Sequence, residues 1–340
     1  MRLKPSLTTL VLLLSIYACS PRGNQGDGTT SVNDTFPVPV EVPEETPKLL
    51  TASDIDLKQE LIYDEHTLED IYPYKDTTRM FKWDRIRAQL ALIENMQEDP
   101  DDTWVVFQNY RNGNGEAPTV EDLVRNEYGR VSDRNGVERY QGVPLYAPGD
   151  TTVVVAYARD GWLGHLVDSV GGHYRVRPIW GDERYTTPKR YTEKLPQGSL
   201  FAHVAMVDRQ DQNICTLEKS ERGKWIIRSK NPATTGLHRP PHKQPTPLGI
   251  YLLQEKKEKM YYFKDGTTSI GGFAPYASRF CSGAYIHGIP LNGGRTKHIE
   301  YSPSLGTTPR SHMCVRNATS HAKFIYDTFP TMSSLVVVIE

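Results

Sequence analysis

The chain has 340 residues, with 40 Lys and Arg against 41 Asp and Glu and a sequence pI near 6.8. Because the charges balance and no run of Lys and Arg forms a basic stripe, the sequence argues against a nucleic-acid-binding protein held by phosphate contacts. A hydrophobic content of 38% allows a buried core, and the many Tyr, Pro and Gly residues favour strands and turns over helical bundles. We therefore expect an α+β fold that is mostly β.

The first 19 residues have the pattern of a secretory leader. The positively charged residues Arg2 and Lys4 precede an apolar run at 10–16, and Ala18 stands directly before Cys19. The ending Ile16-Tyr17-Ala18-Cys19 resembles a bacterial lipobox, in which the Cys is lipidated and becomes the mature N-terminus. The alternative is a leader that ordinary signal peptidase removes. We expect lipid on Cys19 to anchor the protein to a membrane, since no other segment approaches the length of a transmembrane helix.

The next two segments differ in composition. Residues 20–50 are rich in Gly, Thr, Asn, Pro and Glu, which predicts a disordered tether. Residues 51–130 predict a partly helical N-terminal region. Within it, apolar residues every three or four positions predict an amphipathic helix at 80–97, and 103–107 predicts a short strand. A second helix is predicted at 119–126.

Residues 131–195 predict a small β-module. Short strands are expected at 153–157, 162–167 and 173–176, separated by Gly-containing turns. Such spacing is typical of a small barrel. The order Pro-Leu-Tyr, Asp-Gly-Trp-Leu-Gly, Gly-Gly-His-Tyr-Arg-Val is similar to bacterial SH3-like domains, which often accompany cell-wall enzymes. The alternative is a generic β-module that only supports the following domain.

The segment Ser311-His312-Met313-Cys314-Val315-Arg316 carries residues suited to acyl transfer. Cys is a nucleophile as a thiolate, so it needs a base or a positive environment. His312 is two residues from Cys314, so in an extended segment both side chains face the same side. His287, at the end of a predicted strand, is a second candidate base. Arg316 alternates with Cys314 and can bind a carboxylate with two hydrogen bonds.

A helix and a strand are predicted after Cys314. Apolar residues recur at helical spacing between Ala318 and Phe329, and Asn317 is a suitable cap. We expect the positive end of this helix to stabilise the Cys314 thiolate. The apolar run at 335–339 predicts a terminal strand.

Residues 196–340 resemble the L,D-transpeptidase catalytic domain, the YkuD family. The resemblance rests on Thr246-Pro247-Leu248-Gly249, Ile286-His287-Gly288 and Ser311-His312-Met313-Cys314-Val315-Arg316 in this order. It implies a β-sandwich catalytic domain in which Cys314 is the nucleophile and His287 the general base. Its further site residues are Ser311, His312 and Met313 as site lining, with backbone N–H groups at Met313 and Cys314 as the oxyanion hole, and Arg316 and Gly288 as substrate-binding residues.

The resemblance also implies a reaction. The Cys314 thiol would form a thioacyl-enzyme on a peptidoglycan tetrapeptide stem and transfer the acyl group to an amine, with no cofactor. The expected partners are stem peptides and, through the lipid, a membrane. We expect the periplasm, with the outer membrane as anchor. The alternatives are an L,D-carboxypeptidase on the same stems and a catalytically silent peptidoglycan-binding lipoprotein.

Three departures from the family pattern stand out. The family has Gly where this chain has Met313, and a Met in the left-handed region would cost roughly 1–2 kcal/mol. At an ordinary backbone angle the Met would instead narrow the pocket. His287 and Cys314 are 314 − 287 = 27 positions apart, which predicts an additional loop at 291–302. His321 stands where an acidic residue is often found.

The remaining cysteines and histidines leave alternatives open. Cys215 and Cys281 either pair in an oxidising compartment or remain separate buried thiols. A zinc site would use His287, His298, His312 and Cys314. Because these residues lack a close His or Cys pair and Arg316 lies beside them, we expect no metal.

Three further features have two interpretations each. Trp162 and Trp180 are expected in the core, and the alternative is stacking on glycan sugars. Arg279 either binds an acidic stem or forms a surface salt bridge. The charged run at 255–259 is predicted as a solvated hairpin turn.

Overall fold

A computed structural model describes residues 48–99 and 101–340. The predicted leader, Cys19 and almost all of the predicted tether lie outside the described residues. All of the described residues belong to one unit of the chain, 47–340. In this part, none of the helices has both the length and the apolar character needed to cross a membrane.

The described residues form two α-helices and twenty-two strands. The elements up to residue 194 are β1 (Asp56–Gln59), β2 (Ile71–Tyr74), β3 (Thr77–Met80), α1 (Trp83–Met96), β4 (Trp104–Phe107), β5 (Val124–Arg125), β6 (Val131–Ser132), β7 (Gly142–Tyr146), β8 (Val154–Arg159), β9 (Leu163–Val170), β10 (His173–Pro178), β11 (Tyr185–Pro188) and β12 (Thr192–Lys194). Those that follow are β13 (His203–Asp208), β14 (Asn213–Glu221), β15 (Lys224–Pro232), β16 (Gly249–Leu252), β17 (Glu255–Phe263), β18 (Ile270–Cys281), β19 (Ala284–His287), β20 (Leu291–Asn292), β21 (Val315–Arg316), α2 (Thr319–Thr328) and β22 (Ser334–Ile339). The prediction of a mostly β fold is confirmed.

A six-stranded sheet in the order β1-β15-β14-β13-β22-β16 forms the centre of the C-terminal half. Both of its faces are covered, which explains the continuous apolar run in β22. Leu335 and Val337 pack on one face with α1, while Val336 and Val338 pack on the other with β18, β19 and α2. The predicted terminal strand and the amphipathic helix are thereby confirmed.

A five-stranded sheet covers the second face of the central sheet. Its order is β17-β18-β19-β21, with β20 paired to β18. Ile286 of β19, Val315 of β21 and Ile325 of α2 share one buried cluster with the central strands. The two sheets and α2 thus enclose a single core, as expected for a β-sandwich.

A seven-stranded sheet in the order β12-β4-β9-β10-β11-β7-β8 contains the strands predicted between 153 and 176. It also includes β4, which lies before the predicted module. β1, in contrast, pairs in parallel with β15 of the central sheet. Residues 51–130 therefore contribute to four sheets, since β2 pairs with β3 and β5 pairs with β6 in two small sheets of their own. The likeness of the module to SH3 domains stays a prediction.

Two local predictions are wrong. Residues 119–126 form no helix, because the N–H of Val120 donates to the Tyr157 hydroxyl at 2.7 Å and β5 pairs with β6. The run at 255–259 is not a turn but the first part of β17, which pairs along its length with β18. In both places pairing with another strand overrides a local pattern.

Cys215 and Cys281 do not form a disulfide. Both are free and buried, and they belong to clusters on opposite faces of the central sheet. Of the two alternatives, the structure selects separate buried thiols.

Glu94 of α1 provides a test of how the helix is fixed to the central sheet. It is 4% exposed and accepts hydrogen bonds from Trp225 Nε1 at 2.9 Å and from the N–H of Gly223 at 3.1 Å. We expect Glu94→Ala to lower the free energy of unfolding by about 3 kcal/mol, because two buried donors lose their acceptor. Urea unfolding measures this. The control Glu98→Ala removes an ion pair to the half-exposed Arg222 and should cost below about 1 kcal/mol; equal losses would contradict the assignment.

Candidate active site

A short parallel pairing between β19 and β21 brings the two predicted catalytic segments together. Ile286 lies opposite Val315, and His287 lies opposite Arg316. The N–H of Asn317 donates to the carbonyl of His287 at 2.9 Å and extends the pairing. Cys314 directly precedes β21. His287, Cys314 and Arg316 consequently line one cleft of about 1600 Å³, the catalytic cleft.

The thiol of Cys314 is almost enclosed. The residue is 8% exposed, and Sγ lies 3.6 Å from the carbonyl oxygen of Gly283. Burial raises the pKa of the thiol above its ordinary value, and the backbone N–H of Tyr285 and the charge of Arg316 oppose this rise. Cys314 is therefore a neutral thiol at rest near pH 7.

His287 is buried and oriented by its neighbour. It is 3% exposed, and Nδ1 lies 2.6 Å from the carbonyl oxygen of Gly288. Because a carbonyl only accepts, this contact places the proton on Nδ1 and leaves Nε2 as the acceptor. Burial lowers the pKa of His287 to about 4, so the imidazole is neutral and can take a proton near pH 7.

Gly288 is required by close packing. A Cβ at this position would lie 2.8 Å from Thr319 Oγ1 and 2.9 Å from a side-chain carbon of Pro275. The structure thus shows Gly288 wedged between α2 and β18, with its carbonyl holding the His287 ring. Its role in binding substrate stays a prediction.

Met313 adopts the left-handed conformation that the family's Gly allows at no cost. Its φ is +82°, so the first of the two expectations for this residue is confirmed. Thr246 of the Thr-Pro-x-Gly motif donates from Oγ1 to the carbonyl of Met313 at 2.8 Å and fixes the turn. The Met313 side chain packs beside the core and lines a second cleft, not the one that contains Cys314.

This turn corrects the expectation for His312. Because Met313 is left-handed, the segment is not extended, and His312 is exposed while Cys314 is buried. His312 Nε2 contacts Asp265 at 2.7 Å, in the connection between β17 and β18. Ser311 is buried and donates from Oγ to the carbonyl of Cys314. Both residues line the catalytic cleft, but their contacts hold its loops.

The N-terminus of α2 does not serve Cys314. The helix begins at Thr319, with Ala318 and not Asn317 as its cap. Its first N–H groups bind Glu300: Thr319 donates to the Glu300 carbonyl at 2.9 Å, and Ser320 donates to the carboxylate at 3.0 Å. The prediction that this helix end stabilises the thiolate is wrong, because the Glu300 carboxylate occupies the helix end instead.

His321 belongs to the packing of α2 rather than to the cleft. It is fully buried, and Asn317 Nδ2 donates to its Nδ1 at 3.0 Å while Nε2 lies 2.8 Å from Ser229 Oγ. Burial lowers the pKa of His321 to about 3. It is therefore a neutral, hydrogen-bonded core residue.

Cations outnumber anions around the catalytic cleft. Asp265 is the one carboxylate among its described lining residues, and it pairs with His312. Lys257 pairs with Glu255 at 3.0 Å. The lining cations that form no ion pair within the described residues are Arg111, Lys259, Lys264 and Arg316. The buried Nε of Arg316 also lacks a hydrogen-bond acceptor there, so the cleft is suited to an anionic ligand.

Several lining residues were missed from the sequence. Tyr285 packs against Cys314 and shares a hydrogen bond with the Tyr110 hydroxyl at 3.3 Å. Its position two residues before His287, on the same face of a strand, was the available signal. Lys257 and Lys259 alternate in the same way in β17, and the assignment of their segment to a turn concealed it.

A buried carboxylate, Asp160, joins the seven-stranded sheet to the site. It is 0% exposed. Its Oδ2 accepts from Arg279 Nη1 at 2.6 Å and from the N–H of Ser282 at 2.8 Å, and Oδ1 accepts from the N–H of Asn109 at 2.9 Å. Asp160 thereby fixes the turn that presents the Gly283 carbonyl to Cys314.

Two neighbours of Asp160 are explained by the same junction. Gly161 has φ +90°, and a Cβ there would lie 1.9 Å from the carbonyl oxygen of Phe280, so only Gly fits. Arg279 is 7% exposed and is committed to Asp160 and Glu255. It is a buried structural residue, so neither of the interpretations made from the sequence is correct.

The residues weighed as zinc ligands do not cluster. Within residues 48–99 and 101–340, the group whose ligand atoms lie close enough to hold a metal ion is Glu65, His66 and Glu300. All three are exposed, and none lines the catalytic cleft. His298 does not line the cleft either.

The comparisons with known proteins identify the C-terminal part. Residues 202–339 match the sequence model of the YkuD family, described as the L,D-transpeptidase catalytic domain. This confirms the resemblance that the motifs predicted. No curated protein sequence matches the chain.

Solved structures show a weaker likeness. An L,D-transpeptidase from Mycobacterium smegmatis is 17% identical, with 51% of this chain and 80% of that chain covered and a TM-score of 0.32. One from Mycobacterium tuberculosis H37Rv is 19% identical, with 47% and 73% covered and a TM-score of 0.32. A fused zinc-dependent amidase/peptidase/peptidoglycan-binding protein from Clostridium acetobutylicum is 18% identical, with 41% and 52% covered and a TM-score of 0.30. This chain spans about half of the last protein, and scores of this size carry no argument about activity.

The strain at Met313 can be measured with a pair of variants. We expect Met313→Gly to be more stable to urea than Met313→Ala by about 1 kcal/mol, because only Gly adopts positive φ without cost. Ala88→Gly, at an exposed helical position of α1, is the control and should lose about 1 kcal/mol. An Ala variant at 313 as stable as the Gly variant would contradict the strain.

The resting charge state of Cys314 can be measured by alkylation with iodoacetamide. Because burial raises the pKa of this thiol and keeps His287 neutral, we expect the rate to rise about tenfold per pH unit from pH 6 to 8. A thiolate–imidazolium pair would instead give a rate independent of pH in this range. Cys314→Ala supplies the background from the other cysteines.

The Asp160 junction predicts a large loss of stability. We expect Asp160→Asn to lower the free energy of unfolding by about 3 kcal/mol, because the buried Arg279 charge loses its main partner. Glu255→Gln is the control: it removes the more exposed partner of Arg279 and should cost below about 1 kcal/mol. Urea unfolding distinguishes the two, and a loss below 1 kcal/mol for Asp160→Asn would refute the role assigned to this carboxylate.

Proposed function

We propose that the protein cross-links peptidoglycan through a thioacyl-enzyme on Cys314, since residues 202–339 match the model of the L,D-transpeptidase (YkuD) catalytic domain. The observation that carries the proposal is the placement of Cys314, His287 and Arg316 in one cation-lined cleft. Thiol, neutral imidazole and unpaired guanidinium are the groups that acyl transfer on an anionic peptide requires.

The reaction proceeds in two balanced steps. His287 Nε2 takes the Cys314 thiol proton as sulfur attacks the carbonyl of the L-centre in a tetrapeptide stem. The C–N bond breaks, and the terminal D-amino acid leaves with the proton from the imidazolium. In the second step an acceptor amine attacks the thioester and gives its proton to His287. The new amide forms, and Cys314 recovers its proton.

The backbone around Met313 supplies donors for the oxyanion. Within the described residues, the N–H groups of Met313 and Cys314 donate no hydrogen bond to other protein groups. A left-handed residue turns successive N–H groups toward one concave side, an arrangement that binds anions. We assign these two N–H groups to the oxygen that becomes negative in each tetrahedral intermediate.

The charges of the cleft favour a donor with free carboxylates. The stem peptide carries carboxylates beside the reacting L-centre, and Arg316 is the partly buried cation two residues from Cys314. Arg111 and Lys259 add charge farther along the cleft. Electrostatic attraction of this kind raises the local concentration of an acidic substrate and orients it.

Met313 does not support the catalytically silent alternative. Its side chain lines the second cleft, so it leaves access to Cys314 open. The carboxypeptidase alternative differs only in the use of water in the second step, and the products distinguish it. We further propose that the lipid on Cys19 holds the enzyme on a membrane facing the periplasm, where stem peptides are available.

The test is mass spectrometry of products formed from a disaccharide-tetrapeptide. We expect wild type to give a cross-linked dimer, Cys314→Ala to give none, and His287→Gln to lose at least about 100-fold in rate because the base is absent. His298→Gln, outside the cleft, is the matched control and should retain the wild-type rate.

Two results would refute this assignment. One is a dimer formed by Cys314→Ala, and the other is the absence of any product from folded wild type. A shortened stem without a dimer would select the carboxypeptidase reaction.

A further inference from the structure

A second cleft, the interface cleft, lies between the seven-stranded sheet with its preceding loops and the catalytic domain. Its volume is about 710 Å³. One wall comes from residues between 126 and 185, and the other includes Gln244, Pro245, Pro247, Leu248, Ser282 and Met313. Because the first wall precedes the family domain, this cleft is a feature of the whole chain rather than of the catalytic fold alone.

The interface cleft and the catalytic cleft meet. Tyr140 and Gln141 line both of them. The strip from Met313 to Cys314 separates them farther on, because Met313 lines the interface cleft and Cys314 the catalytic cleft. A single extended ligand can therefore occupy both clefts at once.

Aromatic faces line the interface cleft. Trp180 is 43% exposed, and its ring centroid lies 4.2 Å from that of the partly buried Trp162. Tyr140 is 48% exposed at the junction with the catalytic cleft. The exposed amide side chain of Asn135 accompanies these rings and can bind hydroxyl groups, whereas Asn126 and Gln244 both donate to Glu138 and hold the wall in place. Exposed rings beside planar polar groups suit a ligand with an apolar face and polar edges.

The charges of the interface cleft are largely neutralised within the protein. Arg130 pairs with Glu138 at 2.9 Å, and Arg209 pairs with Glu340. Glu127 lies 3.2 Å from His238. Arg159 lies over the Trp162 ring and is the lining cation that forms no ion pair within the described residues. The interface cleft therefore carries little unpaired charge, in contrast to the catalytic cleft with its several unpaired cations, and it is suited to an uncharged ligand.

We propose that the interface cleft binds the glycan strand of peptidoglycan, a polymer of N-acetylated amino sugars, while a stem peptide attached to that strand occupies the catalytic cleft. This inference rests on the proposed function, because it takes the stem as the ligand of the catalytic cleft. The sugar rings stack on Trp180 and Tyr140, and their acetamido and hydroxyl groups face the polar side chains of the wall, with Asn135 as the available amide. Since stem and glycan are covalently joined, the meeting of the two clefts is the geometry that this substrate needs.

The first experiment measures binding without catalysis. Cys314→Ala protein is titrated with soluble N-acetylglucosamine oligomers that carry no peptide, and tryptophan fluorescence and calorimetry follow binding. We expect Trp180→Ala in this background to weaken binding at least about tenfold, the loss of one stacked ring. Tyr140→Ala should weaken it as well. Tyr301→Ala, an exposed aromatic residue outside both clefts, is the matched control and should bind as the parent protein does.

The second experiment separates this inference from the proposed function. With active protein, Trp180→Ala should raise KM for the disaccharide-tetrapeptide and leave the rate on the sugar-free tetrapeptide unchanged. Failure of wild type to process either substrate would overturn the proposed function without affecting the binding result. The glycan site would be overturned if the oligomer did not bind to folded protein. It would also be overturned if the Trp180→Ala and Tyr140→Ala variants bound the oligomer as tightly as the parent protein does.

Discussion

The parallel pairing of β19 with β21 is the constraint on which the site depends. It joins residues 29 positions apart and places His287 opposite Arg316, two residues beyond Cys314. Two further features make this pairing possible. Gly288 allows the end of β19 to approach α2, where a Cβ would clash with Thr319. The left-handed turn at Met313 leads the chain into β21. Motif residues far apart in sequence thus meet through one backbone contact.

The reacting groups of the site are uncharged at rest, whereas the groups that would bind the substrate are charged. Burial keeps both Cys314 and His287 uncharged at rest, because it raises the pKa of the thiol and lowers that of the imidazole. The surrounding cleft carries unpaired cations, Arg316 among them. A neutral nucleophile is protected from adventitious chemistry, and the proton moves to His287 only when a carbonyl is in position to react. The positive charge then acts on the acidic substrate rather than on the thiol alone.

Much of the catalytic domain follows from local pattern. The motif around Cys314, the helix α2 and the apolar strand β22 were all predictable, because each depends on residues close together in sequence. The rest depends on distant contacts. Glu300 occupies the N-terminus of α2, and no residue near Asn317 in the sequence indicates that contact. Asp160 reaches across from another sheet to hold the turn before Gly283, and neither its burial nor its partners are visible in the sequence.

Met313 was predictable in part from the sequence. The family pattern indicated that the position matters, and the sequence left two backbone conformations open. The value of φ, +82°, is set by Thr246 and by the close approach of Gly236, whose Cβ would lie 2.8 Å from the Met313 Cα. Such long-range contacts decided which alternative holds. They also directed the side chain into the interface cleft, a result that only the folded chain provides.

In the proposed reaction the acyl group of the substrate passes through Cys314. The most direct measurement mixes wild-type protein with a tetrapeptide stem in the absence of an acceptor amine, quenches with acid within milliseconds to seconds, and maps the adduct by peptide mass spectrometry. We expect the peptide that contains Cys314 to gain the mass of the acyl group without the terminal D-amino acid, with release of one D-amino acid per adduct. An adduct on another residue, or D-amino acid release with no adduct at any time, would contradict the proposed reaction.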